Sequence, residues 1–205
     1  KNPEIKTKLL LHTDWGERGW DIPRYIKELE LNPEDVLSTY VCHSCDFYYV
    51  APYQGEDKNC PRCNQEKSFK TKTSNKGVGE VELNEIYNLM DVYCHPFTSG
   101  GQELPVQEAK SAGLITLVTE YSCGTDSCYE HQGGIPLKWN EYREPQTQFI
   151  KASTCPYDIA QKLNRVYYMD ETEKYNLTTK GIRYVKEKFS VQSIADKLKN
   201  ILYSL

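Results

Sequence analysis

Four cysteines in two closely spaced pairs are the residues of this 205-residue chain that most clearly predict chemistry. Cys42 and Cys45 form one CxxC pair, Cys60 and Cys63 form a second, and fourteen residues separate the pairs. A two-residue spacing lets both thiolates of a pair reach one ion from a single turn, and two such turns complete a tetrahedral zinc shell with no open position. We therefore expect one structural zinc ion and no catalytic metal; the alternative is two disulfides or free core thiols.

A glycine turn followed by a helix is the second candidate site. Gly100 and Gly101 precede Gln102 and Glu103, and the predicted helix 105–112 carries Glu108. Adjacent glycines leave backbone N–H groups unshielded, so a phosphate or a sugar hydroxyl can approach them, and a helix start adds a favourable dipole for an anion. A carboxylate one turn into the helix can accept hydrogen bonds from two hydroxyls. The alternative is a plain turn and a glutamate on the helix surface.

Short apolar segments alternate with helical ones along the chain. The predicted strands are 8–12, 36–41, 91–95 and 114–119. The predicted helices begin near 21, 83, 105, 156, 172 and 191, and 121–154 is predicted to be irregular. This alternation is typical of an α/β fold with a Rossmann-like parallel sheet and helices on both faces.

The predicted domain organisation is a Rossmann-like domain over 1–41 and 76–205, interrupted by a zinc-ribbon-like insertion over 42–75. Ligands of open parallel sheets bind at the carboxyl ends of the strands. If the strands 36–41 and 91–95 share one parallel sheet, the zinc module and the glycine turn lie at the same edge of that sheet.

Several segments together resemble the C-terminal, donor-binding domain of the retaining family 4 (group 1) glycosyltransferases, which have the GT-B fold. The matching segments are the helix and strand 83–93, His95-Pro96, 104–113, the strand 114–119, and a closing helix that begins with Phe189-Ser190-Val191. The resemblance implies transfer of a hexose from a nucleotide-diphosphate sugar to an unknown acceptor. It also implies an acceptor domain that this sequence does not contain, supplied by a missing N-terminal domain or a partner, so that the chain alone would be an incomplete, inactive part of the enzyme.

The resemblance also implies roles for individual residues. Glu108 matches the glutamate that binds the ribose hydroxyls, and the amides of Gly100, Gly101 and Gln102 would face the sugar or the diphosphate. The family carries a second glutamate where this chain has Gly100, so the catalytic residue is unknown and Glu103 is the candidate. This departure leaves an alternative open, in which the chain is a non-catalytic Rossmann-like binding module whose zinc ribbon docks a protein or a nucleic acid.

Composition limits the classes of partner. The net charge is −4 and the pI is about 5.7, which argues against general duplex binding because phosphate-binding proteins usually carry a basic face. No apolar run approaches the roughly 20 residues of a membrane span. Zinc-binding cysteines must stay reduced, so we expect a cytoplasmic protein.

Overall fold

The structure is a computed structural model that describes residues 6–15, 21–55, 58–71 and 76–204. It divides into two compact units, which are Lys1–Ile86 and Tyr87–Leu205. All four cysteines of the predicted metal site belong to the first unit, and the glycine turn belongs to the second. The last residues assigned to the zinc module, 72–75, lie outside the described residues.

The first unit is built around one long strand. Its strands are β1 (Leu9–Leu11), β2 (Val36–Cys42), β3 (Tyr48–Pro52) and β4 (Phe69–Thr71). On one side β2 pairs antiparallel with β3; on the other, its first half pairs parallel with β1 and its second half antiparallel with β4. Both edges of β2 are paired, and six of its seven residues are buried.

The first unit also contains helix α1 (Ile22–Glu28), and α2 (Glu80–Tyr87) crosses the boundary between the units. The side chain of Asp21 accepts a hydrogen bond from the amide of Arg24 and caps α1, as the sequence predicts. A 3-10 turn at Pro33–Asp35 leads into β2.

The second unit contains the parallel sheet, formed by β5 (Val92–His95), β6 (Ile115–Thr119) and β7 (Gly134–Leu137) in that order. In the described part of the chain, β2 and β5 therefore belong to different hydrogen-bonded sheets. The expectation that the strands 36–41 and 91–95 share one sheet is wrong. The two strands do not share a sheet because β3 and β4, contributed by the cysteine-containing segment, pair with the edges of β2 at which a further parallel strand would have to bind.

Helices cover both faces of β6. The helices that follow β5 are α3 (Leu104–Ser111), α4 (Pro156–Tyr167), α5 (Glu171–Phe189) and α6 (Val191–Tyr203), of which α6 packs against α5. Leu117 packs with Val166 of α4 and Leu177 of α5. Its neighbour Val118 packs with Val106 of α3. Adjacent strand residues point to opposite faces, so α3 covers one face of β6 and α4 with α5 the other.

The segment 121–154, predicted to be irregular, instead contains β7 and a two-stranded antiparallel ribbon of β8 (Trp139–Arg143) and β9 (Ile150–Thr154). Two 3-10 turns, Ser122–Asp126 and Glu130–Gln132, precede β7. The prediction failed at β7 because Pro136 cannot donate a hydrogen bond to a central strand. The structure resolves the conflict by placing β7 at the edge of the parallel sheet.

The three closing helices confirm the predicted ones, with Ser190 capping α6 by accepting a hydrogen bond from the amide of Ser193. No helix among the described residues is long and apolar enough to cross a membrane.

Candidate metal centre and glycine-turn site

The structure brings the four predicted cysteine ligands together. The sulfurs of Cys42, Cys45, Cys60 and Cys63 all lie within 4.8 Å of one another. The distances from Cys42 to Cys63 and from Cys45 to Cys60 are both 3.7 Å. Four sulfurs placed tetrahedrally at about 2.3 Å from a zinc ion would be about 3.8 Å apart. The cluster therefore fits one tetrahedral ion, and no disulfide joins any of the eight cysteines.

The two CxxC turns have the same backbone geometry. In the first, the amide of Cys42 donates to the carbonyl of Phe47 and the amide of Asp46 donates to the carbonyl of Cys42. In the second, the amide of Cys60 donates to the carbonyl of Gln65 and the amide of Asn64 donates to the carbonyl of Cys60. Two turns of one design, facing each other, explain why four sulfurs converge from a pair of short loops.

Each turn also donates amide hydrogen bonds to sulfur. The amide of Ser44 lies 3.3 Å from the sulfur of Cys42, and the amide of Arg62 lies 3.4 Å from that of Cys60. Burial raises the pKa of the Cys42 thiol, but hydrogen bonds from Ser68 and Ser44 outweigh that effect and lower the pKa to about 6. These bonds favour the thiolate, which is the form that binds a metal.

The turns close through residues in the left-handed region, which are Asp46 (φ 58°) and Asn64 (φ 59°). Asp and Asn adopt this conformation more easily than other non-glycine residues. Each follows the second cysteine of its pair directly, so an Asp or Asn at that position is a signal that sequence reasoning could have used and missed.

An aromatic cluster supports the metal centre. Tyr40 and Phe69 are fully buried with Cys42 and Cys60, and the rings of Tyr49 and Phe69 stack at 5.0 Å. The metal centre and this cluster share strand β2, and the cysteine-containing segment contributes β3 and β4 to the first unit's sheet.

The glycine turn lies at the carboxyl ends of the parallel strands, as predicted. Glu103 reaches back over it, and a Cβ atom added to Gly100 would overlap Oε1 of that carboxylate. The side chain of Glu103 thus occupies the space that a side chain at position 100 would fill. Glu103 lies three residues after Gly100, and its carboxylate reaches position 100 because the chain reverses direction at the turn.

His95, at the end of β5, holds the Glu103 carboxylate in this position. Its Nε2 lies 2.9 Å from Oε2 of Glu103, and its Nδ1 lies 3.3 Å from the hydroxyl of Tyr93. Both members of the pair are largely shielded, with 19% and 23% of their side chains exposed. Burial and the nearby Glu103 charge raise the pKa of Tyr93 to about 12, so Tyr93 remains a neutral phenol near neutral pH.

Cys123 completes the group around Glu103, with its thiol 3.9 Å from Oε1 of that residue. Burial and the Glu103 carboxylate raise the pKa of this thiol, which keeps it protonated and a weak nucleophile. Cys123 is therefore a neighbour of the carboxylate and not an activated thiolate.

The backbone of the turn is open. Among the described residues, no acceptor receives a hydrogen bond from the amides of Gly100, Gly101 or Gln102. A Cβ added to Gly101 would meet no atom within 4 Å. Three unsatisfied amides on an exposed turn form a surface to which an anion or a hydroxyl oxygen can bind.

Glu108, the other predicted binding residue, is exposed on α3. Its Oε2 accepts a hydrogen bond of 2.9 Å from the hydroxyl of Tyr87. Burial, and then this carboxylate, raise the pKa of Tyr87. Among the described residues no hydrogen bond joins the Glu108 side chain to Glu103 or to the glycine turn, and its Oε1 accepts no hydrogen bond.

The ribbon of β8 and β9 borders the glycine turn, a feature that the sequence did not indicate. The amide of Ala152 donates to the carbonyl of Thr98 at 2.8 Å, and Nζ of Lys151 lies 2.8 Å from Oγ of Ser99. On the other side, the hydroxyl of Tyr121 donates to the carbonyl of Ile150. These contacts fix the ribbon against both loops that carry the site.

A buried lysine anchors the helix that follows the site. Lys110 of α3 is fully buried, and its Nζ donates to the carbonyls of Ser127 and Gln132, both at 2.6 Å. The ring of Tyr184 lies 5.5 Å from the same nitrogen. Burial lowers the pKa of Lys110 to about 8. Lys110 thus ties α3 to the two 3-10 turns between β6 and β7.

Comparisons of the chain with protein-family models, with curated proteins and with solved structures found no match. The geometry of the two sites is therefore the basis for a functional proposal.

Proposed function

We propose that the unit Tyr87–Leu205 binds a nucleotide-diphosphate sugar, as the donor-binding part of a glycosyltransferase that transfers a hexose. In such a transfer the bond between the sugar and the diphosphate breaks and a bond to an acceptor hydroxyl forms. The nucleoside diphosphate leaves, and the acceptor hydroxyl loses its proton. A site for this reaction needs hydrogen-bond donors for the diphosphate and a carboxylate near the sugar.

The observation that carries the proposal is the Glu103 carboxylate standing over the glycine turn. The family that this sequence resembles has a glutamate where this chain has Gly100, and here the carboxylate of Glu103 fills that space. His95 holds it at 2.9 Å, and the amides of Gly101 and Gln102 in the same turn donate to no acceptor among the described residues. Glu103 is thus the candidate for the carboxylate that faces the sugar, and the amides are candidates for the diphosphate.

Glu108 is proposed to bind the ribose hydroxyls. Its contact with Tyr87 uses one carboxylate oxygen, and the residue is exposed, so it can accept hydrogen bonds from a ligand. Glu108→Ala is expected to weaken nucleotide-sugar binding by about 1–3 kcal/mol, the range for a charged hydrogen bond.

For the metal centre we propose a structural zinc ion bound by Cys42, Cys45, Cys60 and Cys63. Four thiolates complete the shell, so the ion would have no position for a substrate or an activated water. Zinc bound there would stabilise the first unit and take no part in the transfer of sugar.

Isothermal titration of the zinc-loaded chain with uridine-, guanosine- and adenosine-diphosphate sugars tests the donor-binding proposal. We expect one of them to bind, and Glu103→Gln to weaken it. Gly100→Ala should weaken it as well, because the new methyl group would push the Glu103 carboxylate off the turn without removing its charge. Glu187→Gln, which changes an exposed carboxylate on α5, is the matched control.

Absence of binding for every nucleotide sugar, with the chain folded and zinc present, would contradict the proposal. Equal affinities in wild type, Glu103→Gln and Gly100→Ala would contradict the role given to Glu103 alone.

The second candidate function is a non-catalytic binding module whose zinc ribbon docks a protein or a nucleic acid. The observation that favours it is the assignment of the four cysteines and the glycine turn to different compact units, because each unit can then serve a separate ligand. Binding of a protein or a nucleic acid by the zinc-loaded chain, lost in Cys60→Ser and with no nucleotide sugar bound, would favour this function.

A further inference from the structure

The ribbon of β8 and β9 contributes one cation to the glycine turn. Nζ of Lys151 lies 2.8 Å from Oγ of Ser99 and 3.5 Å from Oε1 of Glu144. Only 22% of the Lys151 side chain is exposed, and the neighbouring amide of Ala152 is hydrogen-bonded to the carbonyl of Thr98. The ammonium group is therefore held one residue away from Gly100 by contacts on both sides.

We propose that Lys151 is the residue that recognises the phosphate groups of the ligand, together with the free amides of Gly100 and Gly101. The ligand class is a diphosphate ester. This inference rests on the proposed function for the identity of the whole ligand, but the phosphate site itself is defined by Lys151 and the turn.

The charges around the turn divide it into two parts. On one side Glu103 places a carboxylate against Gly100, and His95 is its partner. On the other side Lys151 lies beside Ser99, and its ammonium group is a point charge with three donors that suits phosphate oxygens. The anionic part of a ligand would therefore bind on the Lys151 side and the neutral sugar on the Glu103 side.

Glu144, which contacts Lys151, is expected to weaken anion binding. Its carboxylate competes with a phosphate for the Lys151 ammonium, and hydrogen bonds from Thr147 and Lys151 lower the pKa of Glu144, so it is ionised near neutral pH. Removing the Glu144 charge should strengthen anion binding, whereas removing the Lys151 charge should weaken it.

Inorganic pyrophosphate is the probe, titrated into the full zinc-loaded chain at low ionic strength. Lys151→Met is expected to weaken pyrophosphate binding roughly tenfold, and Lys151→Arg to retain most of it. Glu144→Gln is expected to tighten binding roughly twofold. Arg143→Met is the matched control because Arg143 is a cation on the same ribbon whose guanidinium donates to the carbonyl of Gln148, and it should change the affinity less than twofold.

The outcomes separate this inference from the proposed function. Pyrophosphate binding that depends on Lys151, with no nucleotide sugar bound, supports the inference and overturns the proposed function. Nucleotide-sugar binding that is unchanged in Lys151→Met and in Glu144→Gln overturns the inference and leaves the proposed function standing. Failure of the folded wild-type chain to bind pyrophosphate overturns the inference. If Lys151→Met unfolds, Glu144→Gln decides, because it keeps the lysine and its contact with Ser99.

Discussion

The two units of this chain obtain their stability from different sources. The parallel sheet of the second unit is covered by helices, and six residues from β6, β7, α4 and α5, together with Met169 between the two helices, form one buried apolar cluster. The first unit has smaller clusters, one of which contains two of the four cysteine sulfurs among its buried residues. A small core needs a metal or cross-links to remain folded, and a larger one does not. The metal is therefore expected to be a condition of folding for the first unit alone.

Removal of the metal should have the largest effect. Strand β2 ends at Cys42 and pairs with β1, β3 and β4, so loss of the ion should unfold the whole first unit and not only the loops. A structural zinc site contributes about 10 kcal/mol or more to folding. Hydrogen exchange after chelation should show loss of protection in β2 and β3, with protection retained in β5 and β6.

Cys60→Ser should reproduce the effect of chelation, and Cys155→Ser, which changes a cysteine outside the cluster, should not. Retained protection of β2 in metal-free protein would mean that the aromatic cluster alone stabilises the first unit. That result would contradict the statement that the first unit needs the metal to fold.

The stability of the second unit should depend on close packing between backbone segments, which needs no metal. Gly133 has φ 75°, and a Cβ there would overlap the backbone of Gly181 in α5. Gly133→Ala should lower the free energy of unfolding by about 3 kcal/mol, from the left-handed backbone and from overpacking. Gly101→Ala, which has open space around it, should cost less than about 0.5 kcal/mol. Similar midpoints for the two variants in urea would contradict this packing argument.

The buried Lys110 should make the second unit's stability depend on pH. Between the folded pKa of about 8 and the ordinary value of 10.5, the unfolded chain binds more protons than the folded chain, so stability rises with pH. The full pKa difference corresponds to about 3 kcal/mol. As the pH rises from 8 to 10.5, the free energy of unfolding of the wild type should therefore increase relative to that of Lys110→Met by up to that amount. Parallel stability curves for the two proteins, measured by urea unfolding, would show that the amine is not desolvated.

The sequence predicted the features that depend on short spacings. The CxxC pairs identified the four cysteines that the fold brings together, and the caps at Asp21 and Ser190 predicted the starts of two helices. Those features are encoded within a few residues, so local chemistry is sufficient to find them.

The features that the sequence did not predict depend on contacts between distant residues. Lys151 and Ser99 are 52 positions apart, and β8 and β9 carry mostly exposed residues with no strong apolar alternation. The contact of Glu103 with position 100 could not be read from the sequence motif, because it depends on the course of the backbone through the turn. The sequence did not show that β2 belongs to a sheet separate from β5, because its pairing partners β3 and β4 come from the cysteine-containing segment.

Hydrogen exchange of the zinc-loaded chain, with and without a panel of nucleotide-diphosphate sugars, tests whether the glycine turn is the donor site. The amides of Gly100, Gly101 and Gln102 have no acceptor among the described residues, so they should exchange fast in the free protein. We expect a bound nucleotide sugar to slow exchange at these amides and to leave exchange in β2 and β3 unchanged. Unchanged exchange at the glycine turn with a nucleotide sugar bound, or protection confined to the first unit, would contradict this expectation.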